Sequence, residues 1–350
     1  MLSGRKTFVG GAQFGSEAKG AVAGYLAKRY PYTACVAAFP PSAGHTFRWV
    51  DSNGEEKSIM HMMLPVSAVS PNIREIFIGP GALIDPEIME EEIRILKRMD
   101  LFKERDILIH EHAGVVSPKH SQFEKDQGFT KIGSTTKGGM AAHVEKMMRD
   151  PDDQAVARER LKGTSLEKYV VSRFDYEMAL SRHADVIIEG AQGFGLSMYH
   201  GFYPYTTARD TTPYSVMSDC GIPWSWAAQI ETVWVMRTYP IRVNNRDGSS
   251  GPGYPDQQET SFDELGQEVE LTTVTKLPRR IFTMSDMQIE HLKRMACNDK
   301  TWIVLTFADY MKDNHEVYSI VDKIEQNGFP VKLINYGPFE HDMVSHCFDF

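Results

Sequence analysis

The residues Gly10-Gly11-Ala12-Gln13-Phe14-Gly15-Ser16-Glu17-Ala18-Lys19-Gly20 place glycines and a lysine between two apolar segments. Thr7–Ala12 reads as a buried strand, and Glu17–Tyr30 as a helix with Val22, Tyr25, Leu26 and Arg29 at helical spacing that stops before Pro31. A strand-to-helix turn of this kind gathers backbone N–H groups and the positive end of a helix at one point. Lysine adds a full charge there, and the three together make a site for nucleotide phosphates. The spacing is not that of a Walker loop, because no GK[ST] follows a glycine by four residues. On these residues alone, a phosphate site and a plain tight turn both remain open.

The loop needs a scaffold, and further apolar runs supply one. Thr33–Phe39, Glu75–Ile78, Asp106–Ile109, Asp185–Ile188, Thr232–Met236 and Trp302–Phe307 each have the continuous apolar character of a strand buried on both faces. Helical patterns lie between several of them. Pro86–Met99 has Asp85 as N-cap and Pro86 at the first helical position, with Met89, Ile93 and Leu96 on one face. Ala141–Arg149 and Met287–Ala296 are two more. Strand followed by helix, repeated, predicts an α/β fold with a large, mainly parallel central sheet flanked by helices. The expected organisation is one domain over 1–350, with a small polar, helical insertion near 149–180. A mobile loop is expected near 244–259, where Gly, Ser, Pro and Asp are dense.

Composition narrows the function classes. The 350 residues carry a net charge of -9, which provides no positive field for a nucleic-acid backbone. Cys35, Cys220, Cys297 and Cys347 have no paired spacing, as expected of reduced thiols. Arg5 and Lys6 are not followed by a signal-peptide core, and no stretch approaches ~18 uninterrupted apolar residues. The expectation is a cytoplasmic protein with no nucleic-acid or membrane partner.

Read with its neighbours, the first loop resembles the QWGDEGKGK loop of adenylosuccinate synthetases, and further motifs of that family follow in order. Pro41-Ser42-Ala43-Gly44-His45-Thr46 is similar to NAGHT, 78–86 to IGNGVVxDP, and 132–149 to IGTTxRGIGPxYxDKxxR. Glu189-Gly190-Ala191-Gln192-Gly193 and then 200–207 resemble FEGAQG and HGTYPFVT. Residues 270–280 resemble EFGTTTGRPRR, 305–309 LTKLD, and Gly337-Pro338 the late GP. The resemblance spans nearly the whole chain and implies a P-loop-related fold of that family with small insertions. It implies a homodimeric, Mg²⁺-dependent ligase that phosphorylates O6 of a purine monophosphate and then displaces phosphate with L-aspartate.

The chain departs from the family pattern at several of these positions. Ser16 stands in place of the catalytic aspartate, Ser42 of the asparagine in NAGHT, Leu277 of an arginine and Phe307 of the lysine in LTKLD. Serine at the first position is found in one branch, the phage enzymes that make 2-aminoadenylosuccinate nucleotides on the route to diaminopurine DNA. Guanine differs from hypoxanthine by a 2-amino group. A hydroxyl leaves more room for it than a carboxylate does, and accepts a hydrogen bond from an amine. A serine is also a poor base, and no residue is assigned to take the N1 proton. Leu277 suits a substrate lacking a 2′-hydroxyl, so dGMP is the expected acceptor. The altered LTKLD points to ATP or dATP as donor.

The resemblance assigns roles residue by residue. Ser16, Lys19, His45 and Gln192 are the catalytic candidates, with His45 between γ-phosphate and O6. Gly15, Ser16, Glu17, Ala18, Lys19, Gly20, Gly44, His45, Thr46, Asp309, Gly337 and Pro338 fall to the donor nucleotide. Ser16, Ser42, Ser134, Thr135, Arg149, Gln192, Thr207 and Val243 fall to dGMP, with Arg149 reaching in from the second subunit. Thr273, Val274, Thr275 and Arg279 fall to L-aspartate, where a guanidinium fork suits a carboxylate. Mg²⁺ would meet Ser16 and the Gly44 carbonyl. Two rival readings remain at this stage: an ordinary adenylosuccinate synthetase using IMP and GTP, and a non-catalytic purine-nucleotide sensor.

Overall fold

All the apolar runs expected as strands enter one sheet, ten-stranded among the described residues. The computed structural model describes residues 4–101, 106–243, 249–272 and 276–346. Across the sheet the strands run Met343–Ser345, Val331–Asn335, Thr301–Thr306, Glu231–Arg237, Lys6–Gly11, Val186–Gly193, Ala34–Ala37, Glu75–Ile78, Asp106–His110 and Val170–Val171. Every pairing is parallel except the first, in which Met343–Ser345 runs antiparallel to its neighbour. Lys6–Gly11 lies at the centre and is buried at every position, because helices cover both faces. A parallel sheet brings all its carboxyl ends to one edge. Here that edge carries Gly11, Gln192, Arg237, Thr306 and Asn335, where ligands of open α/β sheets bind.

The helix after the central strand is Lys19–Arg29, two residues shorter at its start than the expected Glu17–Tyr30. Ser16 and Ala18 take left-handed backbone angles, φ 58° and 64°, and the Glu17 side chain turns into the loop, so the helical path begins only at Lys19. Pro86–Arg98 forms as read, with the Asp85 side chain accepting from the Ile88 N–H. The helices Pro118–Asp126 and Asn314–Gln326 were not anticipated.

An antiparallel hairpin, His45–Val50 with Glu56–His61, was also unforeseen. Its first strand alternates buried and exposed residues, with Phe47 and Trp49 inward. The hairpin rests on helix Lys19–Arg29 where that helix has glycine: a Cβ on Gly20 would lie 2.8 Å from the Thr46 backbone N and O. This close approach seats His45 beside the first loop.

Within 149–180 the chain forms the short helix Ala157–Arg160, the edge strand Val170–Val171 and the start of helix Arg173–Ser181. Of the loop expected near 244–259, residues 244–248 lie outside the described residues. The following residues run without regular structure to Glu259–Thr260, which pairs in a small sheet with Arg280–Phe282 and Ile241–Arg242. No helix among the described residues is long and apolar enough to cross a membrane.

Candidate active site

Glu17 organises the first loop from inside. Its fully buried carboxylate accepts from the Gln13 N–H at 3.1 Å and the Gly15 N–H at 2.6 Å, and pairs with Lys19 Nζ at 2.8 Å. A Cβ on Gly193 would lie 2.5 Å from that carboxylate, so glycine there lets the neighbouring strand close over it. Gly15, at φ 93°, and Ser16 complete the left-handed bend, which leaves Ser16 exposed at the mouth of the loop. Lys19 thus sits at a fixed place on the inner wall, and one of its three donors is committed to Glu17. The opening N–H groups of helix Lys19–Arg29 have no acceptor within the helix and point toward the same mouth.

His45 begins the hairpin strand and is buried, its ring 4.4 Å from that of Phe39 between centroids. Its Nδ1 is 3.6 Å from Glu189 Oε2. Gln192 lies three residues beyond Glu189 on the same strand, in a left-handed conformation at φ 62°. Its amide faces the Ser42 hydroxyl at 3.4 Å, so two of the residues assigned to dGMP come together. Gly133 meets Val243, whose methyl would be 2.7 Å from a Cβ at 133. Ser134 and Thr135 follow, half-buried, and the Ser134 hydroxyl accepts from the Thr136 N–H at 3.2 Å. Thr207 is half-buried and bonded through its N–H to the Leu196 carbonyl.

Arg149 stands apart. It caps the C-terminus of helix Gly139–Met148 at φ 54°, with its side chain in solvent beside exposed Val144, Met147 and Met148.

The wall opposite Gln192 is built on a buried charge that the sequence reading passed over. Arg237, at the end of its strand, has no exposed side-chain surface. It donates to the Ser16 carbonyl at 3.4 Å, binds Glu270 and stacks 3.8 Å above the Phe307 ring. Its backbone is locked to Gln13 in both directions, at 3.0 and 3.1 Å. Glu270 also accepts from the Tyr310 hydroxyl at 2.8 Å and lies 3.6 Å from Arg279 Nε. Burial opposes its charge, but Arg237, Tyr310 and Arg279 outweigh that and hold the carboxyl below the ordinary carboxylate range. Burial lowers Arg279 in turn, against the attraction of Glu270. A sequence signal for Arg237 existed: one arginine ending an otherwise apolar strand, VWVMR.

This cluster links the first loop, through Ser16, to the strand end bearing Phe307 and Asp309 and to the segment bearing Arg279. Gly337 and Pro338 lie on the neighbouring strand connection, where the Asp342 carboxylate accepts from the Phe339 N–H and would lie 2.5 Å from a Cβ at Gly337. Thr273, Val274 and Thr275 fall outside the described residues. Their flanks are tied as a turn, with the Thr272 N–H bonded to the Leu277 carbonyl and the Arg279 N–H to the Glu270 carbonyl.

The carboxyl edge of the sheet and the segments beside it therefore carry a buried lysine at a helix N-terminus, a buried imidazole, an amide and a guanidinium. The family model for adenylosuccinate synthetase matches residues 8–157 and 152–335. The N6-succino-2-amino-2'-deoxyadenylate synthase of cyanophage S-2L is 39% identical, covering 93% of this chain and 88% of the relative. The enzyme of the same name from Acinetobacter phage SH-Ab 15497 is 37% identical, over 95% and 91%. The solved succinoaminodeoxyadenylate synthetase of cyanophage S-2L, bound to dGMP and dATP as an energy donor, superposes with a TM-score of 0.89. It is 36% identical and covers 98% of this chain and 95% of its own.

Proposed function

The chain belongs to the adenylosuccinate synthetase family, and from that premise we propose that it joins L-aspartate to C6 of dGMP. ATP or dATP drives the reaction through a 6-phosphoryl intermediate, and the products are 2-amino-2'-deoxy-N6-succinyladenylate, a nucleoside diphosphate and phosphate. The observation that carries this reading is Ser16. It is a small, exposed hydroxyl at the mouth of a loop whose every other polar contact faces inward. A carboxylate there would crowd a purine 2-amino group, whereas the hydroxyl leaves space and an acceptor for it. Leu277, an apolar side chain near the aspartate segment, suits a sugar without a 2′-hydroxyl.

In the first step the donor's γ-phosphoryl passes to O6 of dGMP, and negative charge grows on its oxygens. Lys19 and the N–H groups opening its helix stand ready to offset that charge without reorganising, since Glu17 already fixes the ammonium. His45 faces the transferring group, and Gln192, set beside Ser42, holds the base. In the second step the aspartate amine attacks C6 and phosphate leaves. Arg279 grips the substrate carboxylate while Glu270 keeps the guanidinium oriented. Phe307 and Asp309 flank the donor base. Arg149, exposed among apolar neighbours, reaches the monophosphate of a partner subunit in a homodimer.

Among the described residues no group of three or more His, Cys, Asp or Glu could hold a metal. The exposed Ser16 hydroxyl at the mouth fits Mg²⁺, which keeps most of its water and takes phosphate oxygens as ligands, and the carbonyl of Gly44, the residue before His45, would be its second protein ligand. When bound, Mg²⁺ would neutralise charge on the donor phosphates. Purified chain with Mg²⁺, ATP and L-aspartate, offered dGMP, GMP or IMP in parallel, tests the reading by phosphate release and product mass. Turnover is expected with dGMP and little with IMP. Preference for IMP with GTP would return the chain to ordinary purine synthesis, and silence with every acceptor would make it a sensor.

A further inference from the structure

Glu189 is a buried acid in the middle of an apolar strand, and no assignment above uses it. Oε1 accepts from Ser67 twice, from N–H at 2.7 Å and from the hydroxyl at 2.5 Å. Oε2 accepts from the Val66 N–H at 3.2 Å and faces His45 Nδ1 at 3.6 Å. The carboxylate is therefore held rigidly, with one oxygen saturated and the other turned to His45. Nδ1 of His45 is itself buried and has no hydrogen-bond partner within reach among the described residues. A buried nitrogen left that way costs about 1–3 kcal/mol, and contacts of this kind commonly shorten when substrates close a site. The other imidazole nearby does not compete: His61 directs Nδ1 at the Pro65 carbonyl, at 3.5 Å. Burial pushes His61 down to about 4, which keeps it neutral.

We propose that Glu189 is the positioning residue of His45: it fixes Nδ1 as the ring's donor side, so that Nε2 alone faces the transferring phosphoryl group. The proposal rests on the ligase reading. It also explains why the Val186–Gly193 strand matters twice, since Gln192 holds the base while Glu189, three residues earlier, sets the ring across from it.

The test is Glu189→Gln. Its amide oxygen stays with the two short Ser67 donors, so the NH₂ group takes the place of Oε2, gives up the longer bond from the Val66 N–H and donates to Nδ1. The imidazole proton must then move to Nε2. In histidine-¹⁵N-labelled protein at neutral pH, with His45 identified by the signal lost in His45→Gln, the wild-type chain should carry a proton on Nδ1 and the variant should carry it on Nε2 only. Turnover of dGMP should fall ~100-fold in kcat with KM kept within about threefold, the mark of an imidazole in the wrong protonation pattern and not of a lost binding contact. A wild-type ring with bare Nδ1 overturns the proposal, as does a folded variant with an unchanged tautomer and full kcat. If the variant does not fold, the wild-type tautomer decides alone. Wild-type silence with dGMP would instead defeat the ligase reading, while the tautomer of the ligand-free chain still decides the contact.

Discussion

Lys19 and Arg149 are both cations expected to meet phosphate, and the chain treats them in opposite ways. Lys19 is nearly enclosed, paired with Glu17 inside a loop that Gly193 and the hairpin seal from two sides. Arg149 ends a helix in solvent, next to Met147 at 62% and Met148 at 72% exposure. Those exposed apolar side chains are the ones the proposed partner subunit would cover. In the proposed site every residue of the phosphoryl-transfer wall comes from one chain. The monophosphate wall is finished only by the proposed partner subunit.

The sharpest way to break that contrast is on the enclosed side. Lys19→Met should lower kcat ~1000-fold, the scale of a lost electrostatic contact to a transferring group. It should also lower the melting temperature by ~4 °C, because Glu17 keeps a buried charge without its counterion, a loss of about 3 kcal/mol. Adding Glu17→Gln should recover most of the melting temperature and none of the rate. Scanning calorimetry and phosphate release on the two variants separate the two roles. Recovery of rate would mean that the lysine serves the loop and not the phosphate.

Ser16→Asp comes next, with an expected drop of ~100-fold in kcat/KM for dGMP and a relative gain for IMP. Parallel acceptor assays measure it, and an unchanged ratio would remove Ser16 as the selector. On the open side, Arg149→Ala should raise KM for dGMP ~10–50-fold while the melting temperature stays put, since the side chain touches nothing that folds the monomer. Mixing it with Lys19→Met sharpens the point. If the arginine acts across the interface, mixed dimers contain one complete site and activity returns; if it acts within its own chain, no mixture recovers.

The same contrast governed what could be read beforehand. The central strands were legible because burial on both faces leaves runs such as FVGG and VIIE almost wholly apolar. The Pro86–Arg98 helix was legible because Asp85 and Pro86 announce it. The hairpin escaped because its alternation, HTFRWV, has only half its residues inside, and helix Asn314–Gln326 because its few buried residues, Val317, Val321 and Ile324, are outnumbered by polar neighbours in NHEVYSIVDKIEQ. In the site, residues carried by motifs were found by type. Arg237 lies in no motif, and Glu270 and Glu189, though they open two of them, received no role, because each acts by pairing with a residue elsewhere in the chain, as Glu189 does with His45 across 144 positions. Spacing along a chain carries no trace of such a pair. A lone charge in an apolar strand is the one local sign, and all it states is that a partner must exist.

The smallest expected effect lies in the enclosed half and follows from His61. Its imidazole is fully buried, and desolvation lowers it from 6.5 to about 4, against weaker support from the Pro65 carbonyl and Glu189. A folded-state value below the unfolded one means that the unfolded chain binds the extra proton. Stability is therefore fully present above about pH 6.5 and falls as the pH drops toward 4. By pH 5 the loss from this one group is about 2 kcal/mol, or roughly 3 °C for a chain of this length. Because His61 sits opposite His45 in the hairpin, acid should loosen Glu56–His61 before it loosens the central strands. Melting curves at pH 7.5 and 5 in wild type and His61→Gln measure the slope, and hydrogen exchange across the hairpin locates it. An identical slope in the variant, or protection lost first around Arg149, would place the acid-sensitive part of the molecule on the open wall instead.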